Sequence, residues 1–274
     1  VAVVNGTSAI QIALKLLGVK KNDEVLVPSI TFIGSVNAII YNNATPHFID
    51  SEFGSFGVCE IKLRKYLKKN TFIKNKICYN KKTKKIIRAI IVVHIFGHSA
   101  KISELKKISK DFKIPIIEDA AEAIGSYFEK KHLGTFGKIG VLSFNGNKTI
   151  TTGGGGILLT NSKSLATKAK HLTTTAKIQH KWEYIFKETG YNYRMPNINA
   201  ALGLAQLEKL NIILNNKRKI FKIYNSHFSK IKGIKVMLEP KNCKSNFWLQ
   251  TLILEKNFSH YKNSLLKETN KNNI

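Results

Sequence analysis

A chain of 274 residues with 43% hydrophobic content is long enough to bury one large core and part of a second. Its formal net charge of +28 is carried almost wholly by lysine: of 45 basic residues only Arg64, Arg88, Arg194 and Arg218 are arginine, so a dedicated nucleic-acid binder, which favours arginine's bidentate contacts, is set aside. Cys59, Cys78 and Cys243 share no paired spacing and read as free thiols of a reducing, cytoplasmic compartment, while the longest apolar run, residues 86–96, is too short to insert across a membrane.

Strands and helices alternate along the chain. Residues 1–4, 24–27, 46–49, 86–93, 114–117, 139–144 and 156–160 read as strands; residues 7–17, 31–41, 60–69, 102–111 and 162–174 read as helices. In the first helix Ile10, Ala13, Leu14 and Leu17 recur at helical spacing and form one apolar face. The alternation predicts an α/β fold with a mostly parallel sheet covered by helices on both faces. The Lys/Asn-rich stretch 68–85 is a surface insertion, either a loop or a small hairpin. A long amphipathic helix is expected from about residue 198 to 230, with Leu202, Ala205, Leu207, Leu210 and Ile213 as its core face. It would lead from a large domain, residues 1–214, into a smaller one, residues 215–274.

The chemistry-bearing segment is Ser143-Phe144-Asn145-Gly146-Asn147-Lys148, which runs on into Gly153-Gly154-Gly155-Gly156. A lysine on a strand-to-glycine turn, five residues behind a hydroxyl, is a candidate Schiff-base nucleophile, since desolvation favours the neutral amine. Four glycines in a row prevent regular structure and let backbone approach closely. The plainer reading is one surface lysine among many. Asp119 stands at the carboxyl end of the 114–117 strand, where open α/β sheets bind ligands. Its carboxylate suits a pyridinium nitrogen, such as that of pyridoxal phosphate (PLP), and equally suits a helix N-cap. Gly6, Thr7 and Ser8 open the first helix, where phosphate is favoured, although Thr7 and Ser8 are also ordinary caps. His94 and His98 are four apart, as in a metal pair, but Gly97 between them and the lack of a third ligand favour loop histidines, and no metal site is expected.

Together, Asn5-Gly6-Thr7-Ser8-Ala9, residues 18–32 (GVKKNDEVLVPSITF), Asp119-Ala120-Ala121, Ser143-Phe144 with Lys148, and residues 190–201 (GYNYRMPNINAA) resemble, in order and spacing, the DegT/DnrJ/EryC1/StrS sugar aminotransferases. The resemblance covers nearly the whole chain. It implies an aspartate aminotransferase-like fold (PLP transferase type I), a mostly parallel sheet flanked by helices with part of a smaller C-terminal α+β domain. It also implies a chain lacking an N-terminal helix and the rest of that domain. By the same resemblance Lys148 forms the Schiff base with PLP and shuttles protons, and Asp119 binds the pyridine nitrogen. Gly6, Thr7 and Ser143 contact the phosphate, with Ser8 beside them, and Phe32 stacks on the ring. Asn192 reaches the phosphate from the neighbouring subunit of a homodimer.

Two positions depart from the family's commonest pattern. Glu122 stands where glutamine or histidine contacts the ring hydroxyl, and Gly154 where a glutamate is common. Residues 79–85 and 93–97, with 143–156, resemble more narrowly the branch acting on UDP-4-keto-N-acetyl-hexosamines for legionaminic acid-type surface glycans. The expected function is therefore amino transfer from an amino acid, glutamate by resemblance, to a 4-keto nucleotide-sugar. A PLP-dependent sugar dehydratase, another keto position and a non-enzymatic basic binding module stay open as rivals.

Overall fold

The computed structural model describes residues 1–273. Strands β1 (Ala2–Val3), β2 (Glu24–Pro28), β3 (Thr45–Ile49), β4 (Ile87–Val93), β5 (Ile116–Asp119), β6 (Ile139–Ser143) and β7 (Gly156–Leu159) form one seven-stranded sheet in the order β1-β7-β6-β5-β4-β2-β3. The neighbours from β6 through β3 pair in parallel, and β7 runs antiparallel to both β6 and β1. Helices α1 (Gly6–Leu16), α2 (Ile33–Tyr41), α3 (Glu60–Asn70) and α4 (Ile102–Phe112) alternate with β1 to β5, and α5 (Lys163–Thr173) follows β7.

The period of two along the buried strands sorts their side chains to opposite faces. Val25 and Val27 of β2, with Ala89, Ile91 and Val93 of β4, pack under α1, α2 and α5. Leu26 of β2, with Ile90 and Val92 of β4, packs under α3 and α4. Both faces are thus closed by helices, and the free rim is the one formed by the carboxyl ends of β4, β5 and β6.

Several expectations change at this level. The strand read at 114–117 lies two residues later, because the Ile114 N–H is taken by Ser109 O at the left-handed end of α4. The insertion is a hairpin, Thr71–Lys74 paired with Ile77–Asn80, turned by Asn75 and Lys76 with φ of 51° and 62° as a tight two-residue connection requires. The glycine run does not exclude regular structure, since Gly156 is the first residue of β7.

The long helix is two helices, α6 (Asn197–Glu208) and α7 (Leu210–Phe228), parted by a turn at Lys209, where φ −94° and ψ 0° depart from the values of a regular helix. Neither glycine nor proline marks that break. Its expected core face is also corrected. Leu202, Ala205 and Leu207 are exposed, and only Leu210 and Ile213 pack, half-buried, against the cluster around Ala120, Leu142 and Phe144. Gly203 is the buried residue of α6, and a Cβ there would lie 2.9 Å from Thr152 Cγ2. Helix α6 approaches the loop between β6 and β7 by its backbone.

The C-terminal strands belong to two small sheets apart from the seven-stranded one. Cys243–Lys244 adds a strand to the hairpin of Tyr127–Phe128 and Lys131–His132, while Ile234–Val236 pairs with Leu252–Leu254 and α8 (Lys262–Lys271) follows. Among the described residues no helix is long and apolar enough to cross a membrane.

Candidate active site

A cavity of about 310 Å³ opens at the carboxyl rim of the sheet. Three elements meet there: the N-terminus of α1, the end of β5 with the turn behind it, and the turn that follows β6. Asn5 caps α1 with extended backbone, and its Oδ1 accepts the Ser8 N–H at 2.8 Å. That leaves the Gly6 and Thr7 N–H groups as the helix's orphan donors, beside the Ser143 side chain. The packing leaves no room for larger side chains. A Cβ on Gly6 would sit 3.1 Å from Ser143 Cβ, and one on Gly34 would sit 2.6 Å from Thr7 Oγ1.

Gly156 sets this contact from below. A Cβ there would lie 2.6 Å from the backbone C and O of Asn5, so β7 and the cap of α1 touch through glycine. The close approach expected of the glycine run is made here, against the chain's own backbone.

At the other side of the cavity Asp119 is buried at the end of β5. Its Oδ2 accepts from Ser35 Oγ of α2, and its Oδ1 accepts the Ala121 N–H at 3.2 Å. No helix follows Asp119, so it caps none. Lys148 projects into the same cavity, with its side chain 12% exposed. Its Nζ lies 3.5 Å from Glu122 Oε1 and 4.0 Å from the centroid of the Trp248 ring. Glu122 Oε2 also accepts the Phe96 N–H at 2.7 Å, from a turn in which Phe96 takes a left-handed φ of 55°. Burial pushes the Glu122 carboxyl above the usual carboxylate range. The Lys148 ammonium and the Phe96 N–H oppose that without cancelling it, and Asp119 adds to the rise.

Behind the rim, His94 and Glu118 form a fully buried pair, Nε2 to Oε2 at 3.0 Å. The Ala100 N–H donates to Nδ1, which places the ring proton on Nε2, facing the carboxylate. Glu118 further accepts the N–H groups of Gly134, Phe136 and Gly137. Burial pushes this carboxyl up, but the His94 bond and these N–H groups outweigh it and hold it below the usual range. His98, four residues on, is buried away from His94's network, and neither ring nitrogen has a hydrogen-bond partner. Among the described residues there is no cluster of three or more metal-ligating side chains.

Of the residues singled out in the sequence, Gly6, Thr7, Phe32, Asp119, Glu122, Ser143 and Lys148 line the one cavity. Phe32 stands at its mouth, 70% exposed. Ser8 does not line it, because its N–H is spent on Asn5 and its side chain lies on the Gln11–Tyr193 side of α1. Asn192 is also elsewhere in this protomer, bridged to Thr174 in an outer groove with Lys170 and Arg194.

Sequence reading missed Ser35, Asn147 and Trp248. Trp248 arrives from the C-terminal segment, and its indole N–H donates to Asn147 O at 2.7 Å. Asn246 anchors that segment by donating to Glu122 O and Ile124 O, each at 2.8 Å, and to Thr149 Oγ1 at 3.2 Å. A segment one hundred residues downstream therefore ties the Glu122 turn to the Lys148 turn.

Residues 1–274 match the DegT/DnrJ/EryC1/StrS aminotransferase family. The chain belongs to that family. It is 39% identical over 260 residues to EpsN of Bacillus subtilis (strain 168), a protein provisionally named a pyridoxal phosphate-dependent aminotransferase; the match covers 95% of this chain and 64% of that one. It is 39% identical over 253 residues to the GDP-perosamine synthase of Escherichia coli O157:H7, covering 92% of this chain and 64% of the relative. The chain thus spans 64% of the length of each of these two curated relatives. The aminotransferase TlmJ from Streptoalloteichus hindustanus shares the fold, with a TM-score of 0.87 at 24% identity, over 99% of this chain and 69% of that one.

The family depends on pyridoxal phosphate, and the cavity's residues fit that group. A phosphate suits the Gly6–Thr7 turn with its helix N-terminus and the Ser143 hydroxyl, and a pyridinium nitrogen suits the buried Asp119 carboxylate. The glycines at 6 and 34 keep the cradle open where a Cβ would close it. The Lys148 amine suits a carbonyl between those two ends. The cofactor, when bound, supplies that carbonyl and an electron sink.

Proposed function

We propose that this chain is the catalytic part of a PLP-dependent aminotransferase that transfers an amino group from an amino acid, glutamate, to the C4 keto group of a nucleotide-linked sugar for surface-glycan synthesis. The observation that carries the reading is the meeting of Lys148 and Asp119 in one cavity with the Gly6–Thr7–Ser143 cradle. Lys148 is the only lysine lining that cavity among the described residues, and its flexible amine is suited to moving a proton between carbon and nitrogen. Asp119, fixed by Ser35 and the Ala121 N–H, holds a proton on a ring nitrogen placed against it. Trp248 covers Lys148 and excludes water from one side.

A nucleotide-sugar substrate is supported by the likeness to the Escherichia coli GDP-perosamine synthase, and the C4 position and the UDP carrier by the branch resemblance of residues 79–85, 93–97 and 143–156. Asn192, outside the cavity in its own protomer, fits a homodimer in which it serves the other subunit.

The test has two parts. Borohydride treatment of the PLP-loaded protein should bleach the cofactor's absorbance band and leave a reduced phosphopyridoxyl group, the cofactor's mass less one oxygen, on Lys148. A panel of UDP- and GDP-linked 3-keto and 4-keto sugars with glutamate should yield one 4-amino product. Mass added elsewhere, or no amino sugar from any member of the panel, overturns the assignment.

A further inference from the structure

Among the described residues Glu122 is the one charged partner of Lys148. The 3.5 Å pair is largely shielded from solvent, with the Glu122 side chain 14% exposed. The charged groups around Glu122 are few. Lys148 faces it from the turn after β6 and Asp119 from the end of β5. The Ile95–Gly97 turn presents only the Phe96 N–H, and the C-terminal segment presents the uncharged Asn246 and Trp248. The carboxylate is bound at one oxygen by Phe96, which leaves the other, Oε1, for the lysine.

An ammonium cannot attack a carbonyl, so Lys148 must lose a proton before it can react. We infer that Glu122 is the catalytic acid–base partner of Lys148, taking the proton from Nζ onto Oε1 to free the amine and returning it to the oxygen that leaves as water. The balance closes without any other reactant. A lysine ammonium and a carboxylate become an amine and a carboxylic acid. The amine adds to an aldehyde, and a proton shifts from nitrogen to oxygen. The carboxylic acid then protonates the hydroxyl, water departs, and a protonated carbon–nitrogen double bond and the carboxylate remain. Burial that raises the Glu122 carboxyl makes the proton's residence there less costly. A glutamine or a histidine here could hydrogen-bond a ligand, but glutamine could not carry out this transfer.

This inference rests on the reading that Lys148 condenses with the cofactor's aldehyde, and two measurements on the apoprotein separate the two. Glu122→Gln keeps an acceptor for the Phe96 N–H but cannot exchange protons. Labelling of Lys148 by trinitrobenzenesulfonate, which needs only a free amine, should become faster in that variant, because Nζ no longer has an ion-pair partner. Condensation with added pyridoxal phosphate, followed by stopped-flow absorbance, should become slower by roughly 100-fold, the scale of a lost general acid–base group. Glu122→Asp should restore condensation in part and keep its pH dependence, which the glutamine variant loses. If both rates rise in Glu122→Gln, or neither changes, Glu122 is a counter-charge only and the inference falls. If both fall, Glu122 only shapes the site, which overturns it equally. Failure of the wild-type protein itself to condense at Lys148 overturns the proposed function, and this inference with it.

Discussion

Ser35 Oγ, in the first turn of α2, donates to Asp119 Oδ2 at the end of β5, joining two residues 84 positions apart. With the Ala121 N–H on Oδ1, this fixes both oxygens of a buried carboxylate. Asp119→Asn retains the shape but cannot balance a pyridinium charge. The expected result is retained cofactor binding with kcat lowered roughly a thousandfold, about 4 kcal/mol of barrier. Ser35→Ala, which frees one carboxylate oxygen, should cost about tenfold in kcat, in line with one charged hydrogen bond. Steady-state kinetics on both variants checks this; equal rates in Asp119→Asn and wild type would reduce Asp119 to a structural residue.

Lys148→Ala should abolish transamination while leaving the fold intact. The loss expected for a covalent catalyst is at least roughly 10⁴-fold. The side chain is not a structural keystone, since its contacts are the Glu122 pair and the Trp248 ring. Circular dichroism should match wild type. Retention of more than a few per cent of activity with added PLP would displace Lys148 from its role.

What was readable in the sequence follows from where the signals sit. The β-branched runs mark strands buried on both faces, so the sheet was legible from local pattern alone. Lys148, Asp119 and Ser143 were legible because each stands at or just beyond a strand's carboxyl end, where sheet topology places ligands. Ser35, Asn147 and Trp248 were not, because their roles arise from long-range contacts that no spacing encodes. Lys209 was missed for another reason: the break between α6 and α7 has no glycine or proline, so the amphipathic pattern runs through it. That same pattern made Leu202 and Leu207 look like core, although in the single chain both remain exposed.

Gly156→Ala should be far more costly than a neighbouring glycine substitution. The added Cβ would meet the Asn5 backbone at 2.6 Å, and backbone cannot swing aside. Overpacking of this kind costs about 1–3 kcal/mol, and here it also shifts the N-terminus of α1. The expected outcome is lower stability together with weaker PLP affinity. Gly146→Ala is the control, since a Cβ there meets nothing within 4 Å. Denaturant melts and PLP titrations of the two variants decide it; equal behaviour would remove the close-approach argument.

His98 should make the fold sensitive to acid. Burial pushes its imidazole down to about 4, with Glu239 pulling only weakly the other way. Above pH of about 6.5 the ring is neutral in folded and unfolded chains alike. As pH falls below that value the unfolded chain takes up a proton that the folded one refuses, so stability declines until the folded pKa is passed. Between pH of about 6.5 and 4.5 this amounts to about 2–3 kcal/mol. His98→Leu should flatten that part of the profile, also removing two buried nitrogens without partners. Urea melts of both proteins across this range check it, and parallel profiles would show that His98 does not titrate as argued.

Asn192 should act across a two-fold axis. It lies outside its own chain's cavity, while α6 next to it exposes Ile198, Leu202, Leu204 and Leu207, an apolar stripe of the kind a second copy covers. If each site takes Lys148 from one chain and Asn192 from the other, Lys148→Ala and Asn192→Ala should complement. A mixed dimer then carries both lesions in one site and none in the other. After subunit exchange, random pairing should return about a quarter of the wild-type sites, because half the dimers are mixed and each of these has one intact site of two. The experiment uses the full-length protein, so that every surface of the dimer is present. Exchange shown by mass tags, with two strongly impaired parents and no recovered activity, would place Asn192 in its own chain's site.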